Sequence, residues 1–213
     1  MSIDYQQLRE EYLHDSLDEN KMHEDPIREF DSWFKKAVAL ELPLPNAMVL
    51  ATVTNEGRPN ARYVLLKSFD DAGFVFFSHA VSAKGKQLAH TPFASLVFYW
   101  SPMHRQIRIE GEVTQVSTDE ADEYFATRPY GSRVAVHIAD QSSVVESREF
   151  METRIQEIET QFPKDVPRPD TWVGYRVKPD KLEFWQGREN RLHDRVVYEQ
   201  TSGNQWRKVR LAP

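Results

Sequence analysis

Glu183-Phe-Trp-Gln-Gly-Arg-Glu-Asn-Arg-Leu-His-Asp-Arg195 joins a β-forming run to a glycine break and a return rich in cations. Side chains two apart share a face of an extended chain. A strand from Arg191 onward therefore puts Arg191, His193 and Arg195 on one side and Leu192 and Asp194 on the other. Two guanidiniums and an imidazole in a row offer N–H donors to anionic or heteroaromatic groups. Trp185, just before Gly187, adds a flat face against which a ring can rest. The same pattern also suits an exposed, basic edge strand, because arginine on a solvated face is ordinary. Spacing alone leaves both readings open.

Around this segment the texture is β. Apparent strands cover residues 172–177, 181–186 and 192–200, and a hairpin through Gly203 and Asn204 leads to a strand over 206–211. Upstream, alternation marks 47–54, 61–69 and 74–78, joined by turns at 55–57 and 70–73, which predicts two hairpins. Further apolar strands are expected over 94–100 and 105–116. Helices are placed between and before them. Asp25-Pro26 pairs an N-cap side chain with proline at the first turn, ahead of Ile27, Phe30, Trp33, Phe34, Ala37 and Val38 at helical spacing, and Pro43 and Pro45 are expected to end this helix. Ser82 caps a short helix over 82–89 that Gly85 weakens, and Thr118 caps one over 119–127. A long charged helix over about 144–161 carries Val145, Phe150, Ile155 and Ile158, with Phe162 just beyond, as a packing face, and Pro163, Pro167 and Pro169 form the connector after it. Residues 1–24 are polar, with a possible short helix over 5–13, and read as a mobile N-terminal arm ahead of one domain over 25–213.

Polar residues recur in groups that chemistry can use. In Arg62-Tyr-Val-Leu-Leu-Lys67, alternation assigns Arg62, Val64 and Leu66 to one face and Tyr63, Leu65 and Lys67 to the other, so Arg62 and Lys67 are expected to serve different places. Two charges flanking a buried strand would look the same. Lys84 beside a helix N-terminus makes a phosphate cradle. In Arg105-Gln-Ile-Arg-Ile-Glu-Gly111, Gln106, Arg108 and Glu110 form a polar face opposite Ile107, Ile109 and Gly111. Tyr124 and Arg128 are i and i+4 on a helix, and Ser132 follows Pro129; phenol, guanidinium and hydroxyl make a phosphomonoester pocket. Arg9 and Tyr12 share a face of the short helix in the arm.

Bulk properties narrow the class. Over 213 residues the chain is 40% hydrophobic and 12% aromatic, a composition that folds. Its formal charge of −6 disfavours a nucleic-acid partner. The absence of cysteine removes disulfides and thiolate metal sites and fits a reducing compartment. No apolar run is long enough to cross a bilayer, and the N-terminus does not read as a leader, so the cytoplasm is the simplest address. No phosphate-binding P-loop, dinucleotide glycine fingerprint or zinc-ligand spacing occurs; the seven histidines are scattered and no metal site is expected.

The blocks at 62–67, 105–111, Tyr124-Phe-Ala-Thr-Arg-Pro129, Gln141-Ser-Ser143, 183–195 and Arg210-Leu-Ala-Pro213 together resemble, in order, the pyridoxine (pyridoxamine) 5′-phosphate oxidases, flavoproteins that complete pyridoxal phosphate synthesis. The resemblance implies a β-barrel with peripheral helices (α+β), an antiparallel Greek-key split barrel that binds flavin mononucleotide (FMN). It also implies a homodimer in which both chains build each flavin site. Carried over residue by residue, FMN contacts fall on Arg62, Val64, Leu65, Lys67, Phe77, Ser78, Lys84, Gln106, Gln141, Ser142, Trp185 and Arg195. Substrate phosphate falls to Lys67, Tyr124, Arg128 and Ser132. Arg191 and His193 become the catalytic pair that positions the substrate ring, with His193 a candidate proton acceptor, and Arg9 and Tyr12 close over the substrate.

The implied reaction takes two electrons and two protons from C4′ of pyridoxine or pyridoxamine 5′-phosphate and reduces oxygen to hydrogen peroxide. No ordinary side chain accepts the electrons, so a cofactor is required. The chain departs from the family pattern at two places. Ala83 stands where arginine is common, which removes one phosphate donor, and Leu44 replaces an acidic residue before Pro45. Rival readings are a split-barrel flavin enzyme acting on another substrate, which would have no use for the phosphate set, and a non-catalytic carrier or sensor of FMN or pyridoxal phosphate.

Overall fold

The structure, a computed structural model, describes residues 16–203 and 205–213. Nine strands and five helices follow one another as α1 (Pro26–Ala39), β1 (Ala47–Val53), β2 (Pro59–Leu65), β3 (Ser68–Asp70), β4 (Gly73–His79), α2 (Ala83–His90), β5 (Phe93–Trp100), β6 (Arg105–Gln115), α3 (Thr118–Ala126), α4 (Tyr130–Val134), α5 (Arg148–Gln161), β7 (Trp172–Gln186), β8 (Asp194–Gln200) and β9 (Trp206–Leu211). The strands form an antiparallel sheet in the order β2-β1-β5-β6-β7-β4-β3, with β8 pairing β7 and β9. Contacts group the chain into two compact units. One takes in the chain up to Val49 with Ser95–Gly111 and Pro179–Pro213; the other takes in Leu50–Ala94 and Glu112–Lys178.

In the first unit, α1 begins as its sequence dictates: the Asp25 carboxylate accepts the Ile27 N–H at 2.8 Å and Pro26 opens the helix. Its apolar stripe buries Phe30 against Phe98, with centroids 5.2 Å apart, and Trp33 edge-on to Phe184 at 5.1 Å. The helix stops at Ala39, ahead of the prolines expected to end it. Left-handed Glu41 (φ 51°) turns the chain first, and Leu44 (φ 48°) is left-handed between the two prolines. Of the expected arm, residues 1–15, with the short helix, lie outside the described residues. Residues 16–24 are fastened: Arg210 donates to the Leu17 carbonyl at 2.7 Å, and Lys208 donates to the carbonyls of Glu19 and Met22 at 3.1 and 3.3 Å.

In the second unit, the strand expected over 61–69 is two strands. The chain bends at Leu66 and Lys67, whose N–H donates to the Val75 carbonyl at 2.9 Å; β2 stays beside β1 while β3 pairs with β4. The two strands expected over 172–177 and 181–186 are instead one, β7. It pairs with β4 through Trp172–Val177 and with β8 through Lys181–Gln186, so Pro179 falls where the partner changes. A missing N–H is tolerated there. Helix α3 is capped by Ser117 rather than Thr118, and α5 begins at Arg148 behind an Ser147 cap, leaving Val144 fully exposed. The packing face of α5 is narrower than predicted: Ile158 is buried with Val134 and Val166, Ile155 packs against them, and Phe150 is exposed.

Gly85 does more than weaken α2. A Cβ there would lie 2.2 Å from the Ala80 carbonyl oxygen, so only glycine lets the helix start so close to the end of β4. Gly85→Ala is therefore expected to lower unfolding free energy by roughly 1–3 kcal/mol or more, read as a shifted urea midpoint. An unshifted midpoint would show that this approach is not tight.

Candidate functional site

The bend after β2 brings residues of alternating faces to one place. Within the second unit a cavity of about 620 Å³ is lined from β2 and the bend by Arg62, Tyr63, Val64, Leu65 and Lys67, from β4 by Phe77, Ser78 and His79, and from α2 by Lys84. Tyr124, Thr127, Arg128, Pro129, Ser132, Ala135, Val136, Gln141 and Trp172 complete it. Arg62 and Lys67 were expected to serve different places; both face this hollow, because β2 ends at Leu65 and its alternation does not reach Lys67. Among the described residues, four cations line the wall and no carboxylate does.

Arg62 and Lys84 are held by neutral groups. Arg62 donates to the Leu50 carbonyl at 3.1 Å, to Thr52 Oγ1 at 2.6 Å and to Gln87 Oε1 at 3.2 Å. Burial draws its pKa down. Lys84 Nζ donates to Gln141 Oε1 at 2.6 Å and to Ser78 Oγ at 3.1 Å, and burial followed by the charge of Arg62 lowers its pKa. Ser82 caps α2 through the Gly85 N–H at 3.2 Å, and the Ala83 N–H donates to Ser142 Oγ at 3.3 Å. Ser142 thus sits at the first turn of α2, although it is not part of the cavity wall.

Tyr124, Arg128 and Ser132 meet as expected, by a different route. Helix α3 ends at Ala126, so Arg128 lies in the turn between α3 and α4 rather than one helical turn beyond Tyr124. The Tyr124 ring stacks on Phe77 with centroids 4.2 Å apart, and Phe77 stacks on Trp172 at 5.0 Å. Gly174 makes room for this: a Cβ there would lie 2.7 Å from the Phe77 ring. Arg128 covers Trp172 with its guanidinium carbon 4.8 Å from the ring centre, and its Nη1 is buried without a hydrogen-bond partner. Burial lowers its pKa. Lys67 Nζ stands 5.8 Å from the Tyr124 ring centre. His79 also lines the cavity and was missed by the sequence reading. It is buried, its Nδ1 has no partner, and burial and then Lys84 press its pKa down. A cavity with four cations, hydroxyls, an unpartnered guanidinium nitrogen and aromatic walls suits ligands that combine phosphate with a flat ring, and the phosphate and isoalloxazine of FMN match that donor set.

The segment Glu183–Arg195 belongs to the first unit and is not extended where it was expected to be. After β7 the chain makes a single 3₁₀ turn over Glu189–Arg191, with Asn190 (φ 53°) and Arg191 (φ 63°) left-handed, and β8 starts only at Asp194. Arg191, His193 and Arg195 therefore do not line one face of a strand. Arg191 is exposed. His193 lies against Trp185, with centroids 4.7 Å apart, and its Nδ1 accepts the Arg188 N–H at 3.1 Å. Arg195 forks onto buried Glu183 at 2.8 and 3.0 Å, which raises its pKa, and donates to the Ala212 carbonyl at 3.0 Å. Asp194 accepts the Leu17 N–H at 3.0 Å and pairs with Arg210 at 2.5 Å and with Arg188 at 3.6 Å. Gln106 lies half-buried on the polar face of β6, beside Arg105, which is buried, stacks 4.3 Å from the Trp33 ring centre and donates to Gln186 Oε1 at 2.8 Å. Glu183 and Asp194 were overlooked because single carboxylates in strands carry no motif; their alternation with the quoted cations was the available signal. Arg9 and Tyr12 lie outside the described residues.

Residues 34–162 match the family model described as pyridoxamine 5′-phosphate oxidase, and residues 172–213 match that of the pyridoxine 5′-phosphate oxidase C-terminal dimerisation region. Curated relatives named pyridoxine/pyridoxamine 5′-phosphate oxidase include one from Cyanothece sp., 47% identical with both chains covered completely, and one from Burkholderia thailandensis, 49% identical over 97% of each. Among solved structures, PhzG from Burkholderia lata in complex with tetrahydrophenazine-1-carboxylic acid is 32% identical over 91% of this chain and 95% of that one, with a TM-score of 0.86. A pyridoxamine 5′-phosphate oxidase-related, FMN-binding protein from Nostoc punctiforme, 18% identical, covers 89% of this chain and 98% of its own with a TM-score of 0.71. The expected split barrel with peripheral helices is thereby borne out as the fold.

Arg128→Met is expected to leave the urea midpoint of the ligand-free protein unchanged or raised, since it removes a half-buried charge that has no counter-ion among the described residues. Binding of a phosphomonoester should weaken roughly tenfold or more, the usual worth of a hydrogen bond to a charged group. A lowered midpoint with unaltered binding would make the guanidinium a packing element.

Proposed function

From a chain that belongs to the pyridoxamine 5′-phosphate oxidase family, a flavin oxidoreductase whose cofactor is FMN, we propose that it oxidises pyridoxine or pyridoxamine 5′-phosphate to pyridoxal 5′-phosphate with oxygen as acceptor and hydrogen peroxide as product. The observation that carries this reading is the gathering of Lys67, Tyr124, Arg128 and Ser132, together with Arg62 and Lys84, around one cavity that no carboxylate of the described residues lines. Two groups of cations answer to two phosphates. Arg62 and Lys84, tied to Gln87, Ser78 and Gln141, would hold the phosphate of FMN; Lys67, Tyr124, Arg128 and Ser132 would hold that of the substrate. When bound, FMN supplies the two-electron acceptor that no side chain offers.

On this reading the chain's own residues bind and orient. Anchoring the phosphate far from C4′ fixes the reacting carbon without contacts at the carbon itself. The stacked rings of Tyr124, Phe77 and Trp172 keep one wall of the cavity apolar, which strengthens every charge interaction inside it. Arg191 and His193 would face the substrate ring, with Trp185 and Arg195 toward the cofactor. A homodimer whose chains share each flavin site belongs to the same reading, supported by the match of residues 172–213 to a dimerisation region. So does a cytoplasmic address, supported by the cysteine-free composition.

The likeness to PhzG favours one alternative, a flavin oxidase acting on a carboxylated ring without phosphate. One experiment separates the two. The purified protein should be yellow, bleach anaerobically on addition of pyridoxamine 5′-phosphate, and release peroxide in air; bleaching by a dihydroaromatic acid but not by the phosphate ester would reverse the assignment. Arg191→Ala should stay yellow and lose on the order of a hundredfold in kcat. Unchanged kinetics would remove Arg191 from the site.

A further inference from the structure

We propose that Gln87, which is not part of the cavity wall, is the positioning residue that ties Arg62 to the helix of Lys84 and leaves both charges available to the phosphate of FMN. This rests on the reading that assigns those two cations to that phosphate. Thr52 and Gln87 are polar side chains in buried positions, one on the inward face of β1 and the other on α2. Thr52 Oγ1 donates to Gln87 Oε1 at 2.6 Å; Arg62 donates from Nη1 to Thr52 Oγ1 at 2.6 Å and from Nη2 to Gln87 Oε1 at 3.2 Å. The three side chains close a ring. A guanidinium can only donate, so it holds the amide with its oxygen inward and commits the threonine hydrogen to that oxygen.

The ring decides which donors are left. Both Nη1 hydrogens go to the Leu50 carbonyl and Thr52, and one Nη2 hydrogen goes to Gln87, so the other Nη2 hydrogen and that of Nε remain for a ligand. Lys84 and Gln87 stand three apart on α2 and share a face, which brings the Arg62 guanidinium toward the lysine. The charge of Arg62 is felt there, since after burial it helps to lower the Lys84 pKa. Like charges so placed repel, and the tie to Gln87 opposes their separation. A carboxylate in place of the amide would hold Arg62 as firmly and cancel its charge. The amide holds it and leaves the charge for an anion.

The discriminating variant is Gln87→Glu, which keeps the shape and the acceptor and adds a counter-ion. The full chain, freed of flavin, is titrated with FMN and with riboflavin, the same ring system without phosphate; binding is read from flavin fluorescence and stability from the urea midpoint. The FMN dissociation constant should rise about tenfold or more, the worth of a hydrogen bond to a charged group, while that of riboflavin stays within about twofold. The midpoint should hold or rise, because a half-buried cation gains a partner. Gln87→Met fills similar space without the acceptor, and should weaken FMN several-fold and spare riboflavin. Unaltered FMN affinity in Gln87→Glu, equal weakening of both flavins, or a lowered midpoint alongside weaker binding makes Gln87 a packing residue and overturns the proposal alone. Wild-type protein that binds riboflavin as tightly as FMN overturns the assignment of Arg62 and Lys84 to the phosphate, and the proposal with it.

Discussion

Four positive side chains share one hollow, and no carboxylate among the described residues lines it to balance them. Arg62, Lys84 and Arg128 are partly withdrawn from water, and unpaired charge so placed costs free energy unless something offsets it. The second unit meets that cost with neutral means: carbonyl and amide oxygens under Arg62, a hydroxyl and an amide under Lys84, an indole face under Arg128. These hold the cations in place while leaving their charge uncancelled. Donors so oriented and partly desolvated would need little reorganisation to meet a dianion. The glycines at 85 and 174 serve the same end, since each lets backbone or ring approach where a methyl group would not fit.

The sequence told more about which residues matter than about how the chain delivers them. The residues gathered in the cavity had been assigned to cofactor or substrate through the resemblance, apart from wall residues such as His79 that carry no motif. Alternation failed at Leu66 and Lys67, because a period of two holds only while a strand continues and nothing in Leu-Leu-Lys signals a bend. The helical spacing of Tyr124 and Arg128 gave the right neighbours for the wrong reason, since α3 ends between them. Two separate strands, 172–177 and 181–186, were expected on either side of Pro179. That proline sits where β7 exchanges one partner for another, a fact of pairing that no local window contains.

The segment first quoted was misread in its backbone. Arg191-Leu-His-Asp-Arg195 alternates like a strand, yet a tight turn with two left-handed residues occupies its start, and the identity of Asn190 was the one local hint. What the pattern missed were the partners. Glu183 receives the Arg195 fork, and Asp194 gathers Leu17, Arg188 and Arg210. Carboxylates that only hold other residues in position leave no mark in sequence spacing, because their partners come from remote parts of the chain.

That junction at Asp194 bears on the order of events during synthesis. It joins residues 177 positions apart, and the neighbouring contact of Arg210 with Glu19 spans 191. Contacts of such span are late to form, since the intervening chain must be closed into a loop before they gain anything. The tie from Arg210 must also wait until β9 has left the ribosome. Most of the sheet can pair before then, but the turn carrying Arg191 and His193 acquires its full set of ties last. A nascent chain would thus own its cation-lined hollow well before the turn that follows β7 is fully fastened.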